Sequence, residues 1–338
     1  MSRSLVATLV LSLSAVVPAS AQTPAAAQTP AAAQTPAASS KGASAPDRTV
    51  LLKQAADALQ AGDNAQAMRL FEQAAGRYQS VRASLELARL QARAKDTSAA
   101  MATLNKARAI APNSEDVLSA YAQLALAAKQ PMPAVLTLMP LARMYPSVAQ
   151  YQYLLGVGLM AIGDMPAASE ALEEANRIEP DRPLTLVALG LSLNNRKLFA
   201  ESKAALVRSL ELQPDSTEAT AALAEAEAGL GEFDNAMVHA QRVLERAPAN
   251  ATANLVAGLV GLERRSYSDA RDALLRANKA DPESPKILYQ LSLVFARLGD
   301  DASARRYVDL YQEKLRSVEE RIKVLRTGGT LTPGRSER

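Results

Sequence analysis

The sequence predicts an all-α protein made of eight consecutive helix pairs, and three observations lead to that prediction. Small residues recur at two fixed points along the chain, and glycines recur at a third. Hydrophobic residues make up 48% of the chain and aromatic residues only 4%, a balance typical of closely packed helices rich in Ala and Leu. The strongest signal is a set of six prolines, each 34 residues after the last: Pro112, Pro146, Pro180, Pro214, Pro248 and Pro282.

These prolines mark helix ends. A proline cannot continue a helix, and it pushes the residue before it out of helical geometry. Pro183 and Pro285 suit the first turn of the next helix, where a missing N–H costs nothing. Good N-cap residues also follow the stops: Asp181, Ser216, Asn250 and Ser284.

Each interval is numbered here from 1 to 34, with the first repeat one residue short. The repeats begin at Arg48, Val81, Glu115, Ala149, Pro183, Thr217, Ala251 and Pro285. Position 8 holds only small residues: Ala55, Ala88, Ala122, Gly156, Gly190, Ala224, Gly258 and Ser292. Position 20 also holds only small residues: Ala67, Ala100, Ala134, Ala168, Ser202, Ala236, Ala270 and Ala304. Two helices cross closely only where neither carries a bulky side chain, so these positions predict the crossing point.

Two further positions complete the pattern. Position 24 is mostly larger and apolar, as expected of a residue that fills the space between helices: Phe71, Leu104, Leu138, Leu172, Leu206, Ala240, Leu274 and Val308. Position 15 is glycine in four repeats and is predicted to lie in the turn between the two helices. These glycines are Gly62, Gly163, Gly231 and Gly299.

The pattern resembles the tetratricopeptide repeat (TPR) family, which has small residues at positions 8 and 20 and proline at position 32 of a 34-residue unit. The stretch 149–182 is most similar to the family consensus, and the resemblance covers residues 48–318. It implies a right-handed superhelical solenoid of about eight repeats with a C-terminal capping helix.

Several positions depart from the family pattern. The family's Trp at position 4 is absent throughout. Gln79 and Arg316 replace proline at position 32 of the first and last repeats, as expected of units that cap the stack. Pro131 and Pro133 fall in the turn of the third repeat and Pro140 inside its second helix, which predicts an irregular solenoid near 131–145. Lys197-Leu198 replaces the glycine turn of the fifth repeat.

The ends of the chain are predicted to lie outside the repeats. Residues 1–21 have the features of a secretory signal peptide, with Arg3, an apolar run and small residues before the cleavage point. Residues 22–47 form a Pro/Ala-rich linker. Residues 312–326 keep a helical pattern and are expected to cover the last repeat, and residues 327–338 are expected to be disordered.

The resemblance also implies a binding groove, because in the family positions 2, 5, 9, 12 and 13 of each first helix face the ligand. The candidate partner-binding residues are Tyr153, Val157, Met160, Val187, Leu191, Asn194, Asn195, Leu255, Leu259, Leu262, Tyr289 and Leu293. The Lys and Asn pattern with which some relatives grip a C-terminal carboxylate is absent. An apolar groove with a few amides suits an apolar or amphipathic protein segment. The alternative is that these side chains pack neighbouring helices or the C-terminal helix, or form a self-interface in a homo-oligomer.

Composition excludes several classes of chemistry. The net charge of +3 gives no concentrated basic surface for nucleic acid. The chain has no Cys, so it has no thiolate nucleophile and no Cys-based metal site. His239 is the only histidine and is interpreted as a packing or surface residue. No catalytic, cofactor or metal motif is present, and the sequence predicts a protein that is not an enzyme.

The sequence therefore predicts an exported, non-catalytic scaffold of the cell envelope, located in the periplasm or secreted. No membrane-spanning segment is expected to remain after signal cleavage; retention of the signal as an anchor is the alternative. For function, the alternative is a non-catalytic subunit or regulator of an exported enzyme or of an assembly complex serving secretion, pilus formation, polysaccharide export or cytochrome maturation.

Overall fold

The computed structural model describes residues 47–327, and within that range every regular element is an α-helix. The all-α repeat fold predicted from the sequence is confirmed. The expectations for the signal peptide, for the linker up to residue 46 and for the tail from residue 328 fall outside the described residues. The chain divides into two compact units between Pro112 and Asn113.

The first unit holds the first two repeats. Its helices are α1 (Arg48–Gln60), α2 (Asn64–Tyr78), α3 (Val81–Arg93) and α4 (Thr97–Ile110). A core forms around Leu51, Phe71 and Leu87, together with the small residues Ala55 and Ala67 that the sequence places at the helix crossing. Burial of these apolar side chains is what holds the short helices together, since isolated helices of this length are marginal in water.

The second unit holds the remaining six repeats. Its helices are α5 (Glu115–Ala127), α6 (Pro131–Met144), α7 (Ala149–Ile162), α8 (Met165–Ile178), α9 (Pro183–Asn195), α10 (Phe199–Leu212), α11 (Thr217–Gly229), α12 (Phe233–Arg246), α13 (Ala251–Glu263), α14 (Tyr267–Ala280), α15 (Pro285–Arg297) and α16 (Asp301–Thr327). In both units, each odd-numbered helix begins at a residue where the proline spacing places a repeat start.

The small residues at position 8 allow the two helices of a repeat to cross closely. A methyl group added to Gly190 would lie 2.5 Å from Cγ of Leu206, the position-24 residue of the same repeat. Gly258 faces Leu274 at the same distance. Real Cβ contacts are never this short, so the leucine occupies the space that a larger residue would need. The two positions are therefore coupled through packing.

All eight turns within the repeats use the same left-handed backbone conformation at position 15. Four repeats have glycine there, with φ between 78° and 103°. The other four have a basic residue with φ between 58° and 63°: Lys95, Lys129, Lys197 and Arg265. The fifth repeat therefore keeps the turn geometry although it lacks the glycine. In these four turns, a residue with a long cationic side chain adopts a left-handed backbone conformation that is favourable only for glycine.

Two expectations about helix ends need correction. Arg182, not Asp181, is the N-cap of α9, and Asp181 instead has a φ of 60° and accepts hydrogen bonds from the Arg208 guanidinium. Pro131 lies at the start of α6 rather than in a turn, and α6 continues through Pro140 to Met144. The following repeat begins in register, so the interior proline does not disturb the 34-residue spacing.

The helix predicted over 312–326 is part of α16, which is 27 residues long and uninterrupted. Its first half is the second helix of the eighth repeat, where Tyr307 stacks on Phe295 with ring centroids 5.5 Å apart. Its second half contacts the turn of the fourth repeat. There, Arg321 Nε donates a hydrogen bond of 3.1 Å to the Ile162 carbonyl oxygen. The C-terminal helix therefore does more than cover the last repeat.

No helix in the described range, residues 47–327, is long and apolar enough to cross a membrane.

Candidate functional site

The structure separates the twelve candidate groove residues into three groups by exposure. Six are buried, with Tyr153 only 3% exposed: Tyr153, Val157, Met160, Val187, Asn194 and Leu255. Three are partly buried: Leu191, Leu259 and Leu262. The remaining three are exposed: Asn195, Tyr289 and Leu293.

The buried residues pack inside the helix stack, and of the six only Asn194 also lines the pocket described below. Val187, for example, packs in one apolar cluster with Ala219 and Ala222 of the next repeat. The Asn194 side chain donates to the Ala222 carbonyl oxygen of the next repeat at 2.8 Å, which is an inter-repeat contact. Tyr289 is exposed but lies against Tyr311 of α16, with ring centroids 5.5 Å apart. For these residues, the packing alternative describes the structure better than the groove interpretation.

Residues of repeats five to eight line a pocket of about 770 Å³. It lies between the C-terminal halves of α9, α11 and α13, the turns that follow them, and one side of α15 from Lys286 to Arg297. It contains five of the candidate groove residues: Asn194, Asn195, Leu259, Leu262 and Leu293. The other lining residues are Lys197, Phe199, Glu225, Ala228, Gly229, Phe233, Glu263, Arg265, Tyr267, Lys286, Gln290 and Arg297.

Three aromatic side chains in the pocket were missed by the sequence reasoning. Phe199, Phe233 and Tyr267 all stand at position 17, the first residue of the second helix, in three successive repeats. The recurrence of aromatic residues at position 17 could have identified them from the sequence. Gly229 leaves the space that the Phe199 ring occupies, because a methyl group added at Gly229 would lie 2.5 Å from that ring. Aromatic rings with neighbouring leucines give the pocket an apolar floor that suits a buried side-chain anchor.

The pocket wall contains one ion pair that joins two repeats. Lys286 Nζ of the eighth repeat donates to the Glu225 carboxylate of the sixth repeat. Glu225 is buried and Lys286 is partly buried. The pair therefore links the sixth and eighth repeats directly, and its partial burial makes each partner costly to remove alone.

Three cations at the pocket rim have no carboxylate partner within salt-bridge distance among the described residues. They are Lys197, Arg265 and Arg297, and all three are exposed. Glu263 also lines the pocket and has no cationic partner within salt-bridge distance among the described residues. Counting the Glu225–Lys286 pair as neutral, the rim carries an excess of positive charge, which favours a partner segment with acidic residues beside its apolar ones.

A second group of polar residues lies between the fourth and sixth repeats. The Arg182 guanidinium lies over the Tyr153 ring, 5.6 Å from its centroid, and donates to Gln150 Oε1 at 2.8 Å. Burial raises the pKa of the Tyr153 hydroxyl to about 12. Burial also raises the pKa of the Glu218 carboxyl to about 7, and Glu218 Oε1 has no hydrogen-bond partner in the described structure. Burial of Glu218 therefore disfavours the ionised form of its carboxyl group.

His239 lies away from the pocket, on α12. Its Nδ1 is 2.7 Å from Oε2 of Glu227, a buried carboxylate that is also 3.9 Å from Lys203 Nζ. The histidine partners a buried acid, which gives it a structural role. Among residues 47–327, no group of three or more His, Cys, Asp or Glu side chains is arranged to hold a metal ion.

A stack of helix pairs with an open pocket defines a helical-repeat protein of the kind that binds other proteins. The chain carries tetratricopeptide repeats in both of its compact units. Two tetratricopeptide repeat models match it, one over residues 58–124 and another over residues 239–285 and 255–317. Repeats of this family are protein–protein interaction modules, and the fold supports that role for this chain.

Known proteins that resemble the chain share its repeats. A TPR repeat-containing protein of Pseudomonas aeruginosa is 26% identical over 155 residues, which is 44% of this chain. The chain spans about a quarter (26%) of that relative's length. A tetratricopeptide repeat protein from Parabacteroides merdae matches with a TM-score of 0.55 and 15% identity, covering 73% of this chain and 98% of its own.

The structure of pilF from Pseudomonas aeruginosa gives a TM-score of 0.47 and 21% identity, covering 63% of this chain and 96% of its own. At 15% identity, the Parabacteroides merdae structure shows the fold alone.

Proposed function

We propose that the protein is a non-catalytic scaffold of the cell envelope that binds an apolar or amphipathic segment of a partner protein in the pocket of repeats five to eight. The observation that supports this most directly is the combination of the aromatic and leucine floor with the exposed cations Lys197, Arg265 and Arg297. Apolar anchors would fill the floor, and acidic residues of the same segment would meet the rim.

Export is the second part of the proposal. The predicted signal peptide at residues 1–21 supports a location in the periplasm or outside the cell. The test is the size and compartment of the mature protein. Fractionation followed by N-terminal sequencing should give a chain beginning near Gln22 in the periplasm or the medium. An uncleaved chain in the cytoplasm would contradict this part and leave the pocket proposal intact.

In-cell photocrosslinking tests the pocket. A photoreactive residue at Leu259 or Leu293 should give a discrete adduct whose partner mass spectrometry can identify. The matched control is Val238, an apolar residue of α12 that is 64% exposed and does not line the pocket. Adducts from Val238 and the pocket sites alike, or from neither, would overturn the assignment of the pocket.

Charge reversal tests the chemistry of the partner. In a chain with the Leu259 probe, Lys197→Glu together with Arg297→Glu should reduce the yield of the adduct at least several-fold, because like charges would then face the acidic segment. Glu201→Lys, on the exposed face of α10 outside the pocket, is the control. An unchanged yield would mean that the rim charge does not select the partner. A partner recovered with the protein at fixed stoichiometry would instead favour a permanent subunit of a larger complex.

A further inference from the structure

The second half of α16, residues 315–327, contacts a part of the protein far away in sequence. This segment is called the strap below. Because an α-helix rises about 1.5 Å per residue, α16 is roughly 40 Å long and the strap about 20 Å. Just before the strap, the Lys314 ammonium pairs with the carboxylate of Glu283, in the loop between the seventh and eighth repeats, at 2.8 Å. The strap ends on the turn between α7 and α8 of the fourth repeat.

Three contacts hold the strap on that turn. Val318 packs directly on Gly163, whose backbone has a φ of 103° and no space for a Cβ beneath the valine. Arg321 Nε donates to the Ile162 carbonyl oxygen at 3.1 Å. This carbonyl lies at the C-terminal end of α7, where a cation is favoured by the helix dipole and the last carbonyls lack helical partners.

The third contact is an ion pair. Arg326 Nη2 lies 3.5 Å from Oδ2 of Asp164, the residue whose side chain also caps α8. Asp164 is buried when the strap is docked, at 4% exposed. One turn of the fourth repeat therefore supplies an apolar seat, a carbonyl acceptor and a carboxylate, and each is matched by a residue on the strap.

The strap is nevertheless held weakly. No residue of α16 is fully buried, and Arg326 remains largely exposed. Segments with few buried apolar contacts open at a small free-energy cost compared with the rest of a fold. The first half of α16 is different, because Tyr307 stacks on Phe295 of α15 and Tyr311 packs against Tyr289 at a tilted angle there. The strap can therefore detach while the eighth repeat stays folded.

The contacts of the strap also close a circuit. The chain passes from α7 through α9, α11 and α13 to α15, and the strap joins α15 back to the turn that follows α7. The residues that line the pocket belong to the repeats that this circuit contains, from α9 to α15. A stack of repeats in which each contacts mainly its neighbours flexes easily along its length, whereas a stack whose two ends are joined does not.

We propose that the strap is a releasable brace that fixes the curvature of repeats four to eight, and with it the width of the pocket. Docked on the fourth repeat, the strap holds the pocket at the width seen here. Detached, it lets repeats four and eight move apart. The effect of the strap on partner binding rests on the proposed function. Its effect on the curvature of repeats four to eight does not.

Because the chain contains no cysteine, pairs of spin labels can be introduced without background. Glu170→Cys with Glu319→Cys reports whether the strap is docked on the fourth repeat. Glu170→Cys with Ala302→Cys reports the separation of the fourth and eighth repeats. All three sites are exposed. Distances are measured by pulsed electron resonance on the full chain, with no partner present.

In the parent chain, both pairs should give one narrow distance. Val318→Asp with Arg321→Ala should convert both into broad distributions shifted to longer distances, because the apolar seat and the carbonyl contact are lost together. Arg316→Ala, an arginine on the exposed side of the same segment, should change neither. Helicity by circular dichroism should stay the same in both variants.

Three results would overturn the proposal. A broad 170–319 distribution in the parent chain, or one unchanged in the double variant, would mean that these contacts do not dock the strap. A 170–302 distance distribution that stays narrow after the strap is released would mean that the strap contacts the fourth repeat but does not fix the separation of the fourth and eighth repeats. Since no partner is used, the brace and the pocket proposal can each fail alone.

Discussion

Glu218 offers a direct test of the electrostatics between the fourth and sixth repeats. Its carboxyl is partly buried near Tyr153, and burial raises its pKa from 4.5 to about 7. Glu218→Gln keeps the size and shape of the side chain and removes the ionisation. We expect this variant to be more stable than the parent chain at pH 8 and equally stable at pH 4.

The sign follows from proton binding. An acid with a raised pKa binds its proton more tightly in the folded chain than in the unfolded chain. The parent chain therefore loses stability as the pH rises from about 4.5 to about 7, while the Glu218→Gln variant does not. A tenfold change in proton affinity is about 1.4 kcal/mol, so the full difference would be about 3 kcal/mol. Because the carboxyl keeps some contact with water, about 2 kcal/mol is the expected gain at pH 8.

The assay is urea unfolding of both chains at pH 4, 6 and 8, followed by circular dichroism. The quantity compared is the free energy of unfolding of the variant minus that of the parent at each pH. Glu170→Gln, at an exposed site on α8, is the control and should show no pH-dependent difference. A Glu218→Gln effect that is the same at pH 4 and pH 8 would refute burial as the source of the raised pKa.

Three further predictions concern packing and capping. Gly190→Ala should destabilise the chain by about 1–3 kcal/mol through overpacking. By contrast, Gly76→Ala, in a helix with open space around this position, should stabilise the chain by about 0.5–1 kcal/mol. Thermal unfolding compares the stability of each variant with that of the parent chain. His239→Ala should cost about 1–3 kcal/mol because the buried carboxylate of Glu227 loses its 2.7 Å partner, and urea unfolding at pH 7 would show no loss if that contact is unimportant. Ser216→Ala should cost about 1 kcal/mol, because the hydroxyl accepts from a backbone N–H at the start of α11; unchanged hydrogen exchange in the first turn of that helix would contradict this.

The helix pairs could be read from the sequence because their signals are local. A proline ends a helix through its own ring, and Asn250 caps α13 through a bond to the N–H three residues on. Likewise, Gly190 and Leu206 belong to one repeat, and a regular spacing reveals their pairing. Such features need only the chemistry of residues that lie close together along the chain.

The pocket and the strap depend on how repeats stack, which no local signal reports. Whether Val187 faces a ligand or the next helix depends on how closely the first helices approach, and the Ala-rich repeats bring them close enough to bury it. The contact of Arg321 with Ile162 joins residues 159 positions apart. The helical pattern of the C-terminal segment predicted its secondary structure but could not predict the surface on which it docks.

The turn residues have a consequence for how this protein can change. Lys197 and Arg265 at the pocket rim occupy a backbone conformation that suits glycine, and they lie outside the helices whose packing forms the core. Their charge can therefore be altered, reversed or removed with little effect on the fold, and glycine at either site would even relieve backbone strain. In the proposed binding mode, partner preference and structural integrity therefore depend on different positions of the fifth and seventh repeats, and new specificities can arise at the turns while the 34-residue framework stays constant.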